Sequence, residues 1–121
     1  MNLQVLPQAF FVCQISDVTT VDLTREFVFF SKTDEELSLV CETAFVPANT
    51  IAREDVWRGF RVCGVLDFSL VGILAKISSI LAEQGISIFA VYTYNTDYLF
   101  TKTEAFDRAI ATLCEAGYTV D

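Results

Sequence analysis

The chain has 121 residues, enough for one compact domain or two small units sharing a core, and its 53% hydrophobic content excludes a disordered chain. A net charge of −8, with the eight basic residues scattered, argues against nucleic-acid backbones and anionic membranes as partners, because both need clustered Lys or Arg. No apolar run approaches the ~20 residues of a membrane helix, and Met1-Asn2-Leu3-Gln4-Val5 lacks the pattern of a secretory signal, so the expectation is a soluble, cytoplasmic protein.

In chain order, residues 9–15 form a β-rich run. Residues 17–24 are too short and too rich in Thr and Val for a helix. Residues 26–31 read as a second strand, 33–37 as a capped helical turn, and 38–42 as a third strand. Pro47, Ala48, Asn49 and Thr50, followed by Arg53, Glu54 and Asp55, read as a polar connection. Trp57-Arg58-Gly59 then leads into the second half, whose first strand is expected over residues 60–66.

The second half is the more regular. Leu70, Val71, Ile73, Leu74, Ile77, Ile80 and Leu81 recur on one helical face. Ser69 suits the N-cap and Gly85 the left-handed position after the last turn. Residues 86–94 read as a strand, Asn95-Thr96 as a turn and 98–102 as the returning strand. Thr103 caps a second helix over 104–116, with Phe106, Ala109, Ile110, Leu113 and Cys114 as its apolar stripe, and residues 118–120 form a last short strand. The order βαββαβ is the ferredoxin-like arrangement. The first half reads as a reduced version of the same plan. Two echoes link the halves: Phe11-Val12-Cys13 with Arg61-Val62-Cys63, and residues 29–33 with 99–103. The expected class is α+β, with two ferredoxin-like subdomains over 1–58 and 59–121, the first reduced, and their antiparallel sheets side by side.

Few residues suit bond-making chemistry. There is no histidine, so Ser-His and Cys-His nucleophile pairs are excluded and the usual neutral-pH acid–base group is missing. Asp34-Glu35-Glu36 and Glu54-Asp55 read as solvated turn charges. Cys13, Cys41, Cys63 and Cys114 show no C-x-x-C spacing. The first three follow Val in strand-like runs and read as buried free thiols, without a metal or a disulfide. No cofactor and no catalytic residue is expected.

The stretch D-F-S-L-V-G-I-L-A-K-I-S-S-I-L-A-E-Q-G-I-S-I, residues 67–88, resembles the ACT domain family of small-molecule sensors. Together with T-D-E-E-L-S-L-V-C-E (33–42), W-R-G-F (57–60) and Y-T-Y-N-T-D-Y-L (92–99), it looks more narrowly like the short bacterial tandem-ACT proteins related to the eukaryotic cytosolic arginine sensors. The resemblance implies a non-catalytic regulatory protein that binds a small ligand, an amino acid by preference, at an interface between ACT units. It further implies output through a homodimer or a regulated partner protein. Carried onto this chain, the ligand loop is Asp67, Phe68, Ser69, Leu70, Val71, Gly72 and Ile73, and the facing wall is Thr93, Tyr94, Asn95, Thr96 and Asp97.

Physical chemistry is consistent with that placement. Backbone N–H groups at a helix start suit a carboxylate, Gly72 permits close approach of the backbone, and Asp67 or Asp97 suits an ammonium. The same residues also have plain structural readings. Asp67 and Ser69 serve equally as helix caps, Asp97 as a side chain bonding its own turn, and Gly72 as a point of close helix packing. Against a sensor stand three other classes: a ligand-free ACT-like dimerisation module, an RNA binder displaying Tyr92 and Tyr94, which the charge opposes, and an enzyme, which the missing histidine opposes.

Overall fold

Alternating side chains and glycine stops decide most of the elements. In the computed structural model, which describes residues 2–45, 47–63 and 72–121, β1 spans Asn2–Ile15, β2 Phe29–Lys32, β3 Leu37–Glu42 and β4 Thr50–Val62. A single 3-10 turn, Thr43–Phe45, lies between β3 and β4. Helix α1 covers Ile73–Glu83, β5 Ile88–Tyr92, β6 Asp97–Lys102, α2 Thr103–Glu115 and β7 Thr119–Val120. The second half therefore runs β4-α1-β5-β6-α2-β7, the βαββαβ order expected from its periodicities.

The chain divides into two compact units, Met1–Pro7 with Arg58–Asp121, and Gln8–Trp57. Strands β1 and β4 each supply residues to both. In the first unit the strand order is β7-β1-β4-β6-β5. The start of β1 stands between β7 and β4, so residues 2–7 join the second half of the chain. Asn2 and Leu3 pair in parallel with Thr119 and Val120. The Val5 N–H donates to the Asp121 carbonyl, and the Asp121 N–H to that of Leu3. The Cys63 N–H donates to the Asn2 carbonyl at the far end of β4.

Both helices bury their apolar stripes on this sheet. Ile77 and Leu81 of α1, and Phe106, Ala109 and Leu113 of α2, pack with Leu3, Phe60, Val62 and Leu99. Ile73, Leu74, Ile80 and Ile88 border the same core. The expected stop at Gly85 is present. Gly85 takes φ 69°, and the Ile86 N–H reaches the Leu81 carbonyl while its own N–H reaches that of Ala82. Helix α2 closes in the same way, Tyr118 donating to Leu113.

The start of α1 differs from expectation. The helix begins at Ile73, with Gly72 as the residue before its first turn rather than three residues inside it. Ser69, Leu70 and Val71, expected as cap and first helical residues, lie outside the described residues.

The second unit has the strand order β2-β3-β1-β4. Strand β1 pairs with β3 antiparallel from Phe10↔Glu42 to Ile15↔Leu37, and β2 with β3 from Phe29↔Val40 to Lys32↔Leu37. Two expectations are corrected. Residues 33–36 are a hairpin connection instead of a helical turn. Thr33 Oγ1 accepts the N–H groups of Glu35 and Glu36, but the Thr33 N–H returns to the Glu36 carbonyl and closes the loop between paired strands. Residues 50–55 belong to β4 instead of a polar connection. Backbone pairing tolerates their polar side chains because Ile51, Ala52, Arg53 and Glu54 are exposed. The segment between β1 and β2 is held by local turns, with Asp17 and Asp22 accepting the N–H groups of Thr19 and Thr24.

Cys13, Ile15, Leu39 and Cys41 form a small core here, with Val21, Val28 and Leu37 against it. Burial, then the neighbouring Cys13 and Glu42, pushes the Cys41 thiol up to about 11. Cys13 is raised by burial as well. Both are protonated, inert thiols at neutral pH. Cys63 is a correction: it follows the last residue of β4 and is half-buried rather than buried.

Replacing the fully buried Ile77 by Ala is expected to cost roughly 2–5 kcal/mol in urea unfolding, the range for an aliphatic side chain lost from a packed core. A loss below ~1 kcal/mol would mean that the α1 face is not the core contact described.

Candidate functional site

The turn between β5 and β6 is the one part of the expected site whose geometry is fully described. Tyr92 and Asp97 are cross-strand partners at its base. The Thr93 N–H and Oγ1 both donate to the Thr96 carbonyl, at 2.9 and 2.8 Å, and the Thr96 N–H returns to Thr93 Oγ1 at 3.3 Å. These bonds make a tight, self-contained loop whose tip, Tyr94, is 81% exposed. Asn95 is exposed beside it.

The end of this loop turns inward. Thr96 is buried, and its Oγ1 donates to the Val62 carbonyl at 2.7 Å. That bond fastens the turn to the last residue of β4, where the chain departs toward α1. The period-2 alternation of β6 puts Asp97 on the same face as Leu99 and Thr101, and Leu99 belongs to the helix-packed core. Asp97 is therefore only 5% exposed. Its Oδ1 is buried and accepts no hydrogen bond from the described residues. Burial raises its pKa above the usual carboxylate value. The turn's own backbone N–H groups do not reach this oxygen.

Of the expected loop, Gly72 and Ile73 are described. Gly72 has φ 82°, a left-handed conformation, and no side chain caps the helix start. A Cβ placed on Gly72 would meet nothing within 4 Å. Glycine is required there by backbone conformation and not by close packing. Asp67, Phe68, Ser69, Leu70 and Val71 lie outside the described residues.

The sequence carried no signal for the Val62 carbonyl as an anchor of the turn. Nor did it reveal two arginine contacts in the same unit. Arg61 holds Gln4 Oε1 through Nε at 3.0 Å and Nη2 at 2.8 Å, and its Nη1 donates to the Tyr98 hydroxyl at 3.2 Å. Arg58 donates to the Leu6 carbonyl and lies over the Phe106 ring. Two open grooves lie away from the turn. One of about 380 Å³ is bordered by Gly85, Ser87, Lys102, Glu104 and Arg108, and one of about 520 Å³ by Phe11, Pro47, Ile51 and Arg53. Neither contains an expected site residue. Among the described residues no cluster of His, Cys, Asp or Glu could hold a metal ion, and no helix is long and apolar enough to cross a membrane.

A βαββαβ unit with this helix start and turn can be compared with known families. The sequence profile of the ACT domain matches residues 52–115, more than half of the chain. The chain belongs to the ACT domain family. ACT domains are regulatory modules that bind small ligands, and the mixed sheet with two helices is the ferredoxin-like fold of that family. No curated protein sequence matches the chain. Among solved structures, this ACT protein is similar to protein Atu0741 of Agrobacterium tumefaciens, at 27% identity and a TM-score of 0.86 over 99% of this chain and 91% of that one. It is also similar to VC0802 of Vibrio cholerae, described as a possible transport protein, at 21% identity and a TM-score of 0.77 over 94% and 88% of the two chains. Aspartate kinase of Clostridium acetobutylicum, described as an allosteric enzyme, matches at 14% identity and a TM-score of 0.68 over 90% of this chain and 33% of its own. The last two likenesses show the shared fold.

The left-handed Gly72 and the buried Asp97 each give an expected outcome. Gly72→Ala should destabilise by about 1–2 kcal/mol in urea unfolding, the cost of a Cβ in that backbone region, with no steric clash added. Asp97→Asn should stabilise the protein at neutral pH. With a folded pKa above the unfolded one, the carboxyl's stabilising contribution is full below the unfolded value and is lost as pH rises through the folded value. The gain from Asn should therefore shrink on acidification below about pH 4, measured as the difference in Tm between the two proteins across pH.

Proposed function

We propose that this ACT protein is a non-catalytic sensor that binds an amino acid at the loop Asp67 to Ile73 and the turn Thr93 to Asp97. One observation carries the reading: a carboxylate buried at the start of β6 whose Oδ1 has no hydrogen-bond partner among the described residues. Leaving such a group unpaired is costly, and a ligand ammonium would satisfy it. Backbone N–H groups at the uncapped start of α1 would receive the ligand carboxylate. Output passes through a regulated partner protein or a second copy. Four free cysteines, two of them buried side by side in one core, favour a reducing, cytoplasmic setting.

A second reading is a ligand-free dimerisation module, favoured by the outer strand of the first unit. Among the described residues strand β5 pairs only with β6, residues 86–96 carry no charged side chain, and Tyr92 and Tyr94 are 59% and 81% exposed. An uncharged, unblunted edge invites strand addition.

Thermal shift and calorimetry against the twenty amino acids separate the two. The sensor reading expects one or a few of them to raise Tm. Asp97→Asn should then weaken binding by about 1.5–3 kcal/mol with the fold intact, as for a lost charged hydrogen bond. Unchanged affinity in both Asp67→Asn and Asp97→Asn would remove the electrostatic role. No response to any amino acid, with a concentration-dependent dimer mass by light scattering, would favour the second reading.

A further inference from the structure

The second unit holds a pair of thiols that neither functional reading uses. Cys13 and Cys41 stand on adjacent strands, β1 and β3. The register pairs Cys13 with Leu39 and Cys41 with Phe11, so the two cysteines are diagonal neighbours on one face. They are 3% and 4% exposed and share one core with Ile15 and Leu39. Cys13 is near enough to help push the Cys41 pKa up.

Diagonal placement decides what the two sulfurs can share. Diagonal residues lie roughly 7–8 Å apart across an antiparallel pair. A disulfide needs Cβ atoms about 3.5–4.5 Å apart, and both cysteines are free. An ion in line between two thiolates, each at roughly the metal–sulfur distance of 2.3 Å, asks for sulfurs about 4–5 Å apart. A diagonal pair whose side chains lean together spans that gap.

The surroundings admit a small cation. A cavity of about 10 Å³, room for one water-sized occupant, is walled by Cys41, Leu39 and Val28. Asp22, Glu26 and Glu42 border it against one cation, Arg25, which is tied to Asp22 at 3.4 Å and lies over the Phe45 ring. A rim of that sign favours entry of a positive ion. Arg53 lies over the ring of Phe11, the cross-strand partner of Cys41, and favours negative charge on Cys13. Among the described residues no group of three or more His, Cys, Asp or Glu converges. A closed zinc site, which takes four ligands, therefore has no place here. A soft monovalent ion is satisfied by two thiolates in line.

We propose that Cys13 and Cys41 form a two-coordinate site for a soft monovalent cation of the copper(I) class. Two S–H bonds break, two S–Cu bonds form, and both protons go to the buffer. Copper stays in the +1 state, delivered from a weaker complex in reducing solution. The bis-thiolate complex carries one net negative charge, which Arg53 offsets in part. Protonated thiols at this depth are inert toward reagents that need a thiolate, but a metal that displaces the proton is not such a reagent. The bound ion ties β1 to β3.

The test uses the full chain carrying Cys63→Ser and Cys114→Ser, so that no other thiol competes. Titrated without oxygen against the copper(I)–bicinchoninate complex, it is expected to withdraw one copper per chain and to raise its Tm. Calorimetry in two buffers of different ionisation heat is expected to count two protons released per copper. Adding Cys13→Ala or Cys41→Ala, each checked for folding by circular dichroism, should weaken binding at least about a hundredfold, beyond the usual cost of a lost outer-shell partner. X-ray absorption should show two sulfur ligands and no other donor. If either alanine variant does not fold, the proton count and the ligand count of the parent decide. No withdrawal of copper, a single proton released, or full affinity kept in either variant would overturn the proposal. So would a third ligand, or one copper shared between two chains.

Discussion

The contact on which the first unit depends is the burial of two helical stripes on one sheet face. Ile77 and Leu81 from α1, and Ala109 and Leu113 from α2, are fully or nearly fully buried against Leu3, Phe60, Val62 and Leu99. Neither helix is long enough to be stable alone in water. Each exists because the sheet covers its apolar side. The sheet in turn requires the first residues of the chain, since Leu3 is a fully buried member of that core and β1 stands between β7 and β4. Removing water from this face also sets the electrostatics at its edge.

Asp97 sits where that burial reaches the turn between β5 and β6. The alternation that buries Leu99 and Thr101 turns Asp97 inward at the end of the strand. Thr96 donates to the Val62 carbonyl, a buried hydrogen bond that ties the backbone beside Asp97 to the end of β4. The surface of the turn is the opposite, with Tyr94 almost fully in solvent. A buried carboxylate whose Oδ1 has no partner among the described residues is unfavourable in itself. That local conflict is the kind that marks functional positions.

Much of the fold was legible because its signals are local. The 3.6-residue recurrence over 73–81 and 106–113, the glycine at 85 and the uncharged run from 86 placed α2, β5 and the end of α1 within a residue or two. The turn at 93–97 was also readable, and with it the identity of Asp97 as a candidate. What failed were features set by pairing rather than by pattern. Thr33 looks like a helix cap because its hydroxyl does accept two backbone N–H groups, yet those bonds serve a hairpin. Thr50 to Asp55 look like a loop because they are polar, yet backbone hydrogen bonding to β1 makes them strand regardless of side chain.

By itself the sequence determined what depends on neighbours a few residues apart. It specified the helix faces, their glycine stops, the βαββαβ order and the absence of acid–base chemistry based on histidine. Tertiary structure alone decided that residues 2–7 belong with 58–121, that β4 begins ten residues before its expected start, and that Gly72 precedes the helix in a left-handed turn. It alone decided that Asp97 is only 5% exposed and its Oδ1 without a partner among the described residues. The reason is physical. A side chain's burial and the partner of a backbone N–H are properties of residues brought together from distant parts of the chain, such as Thr96 and Val62, and no local period encodes them.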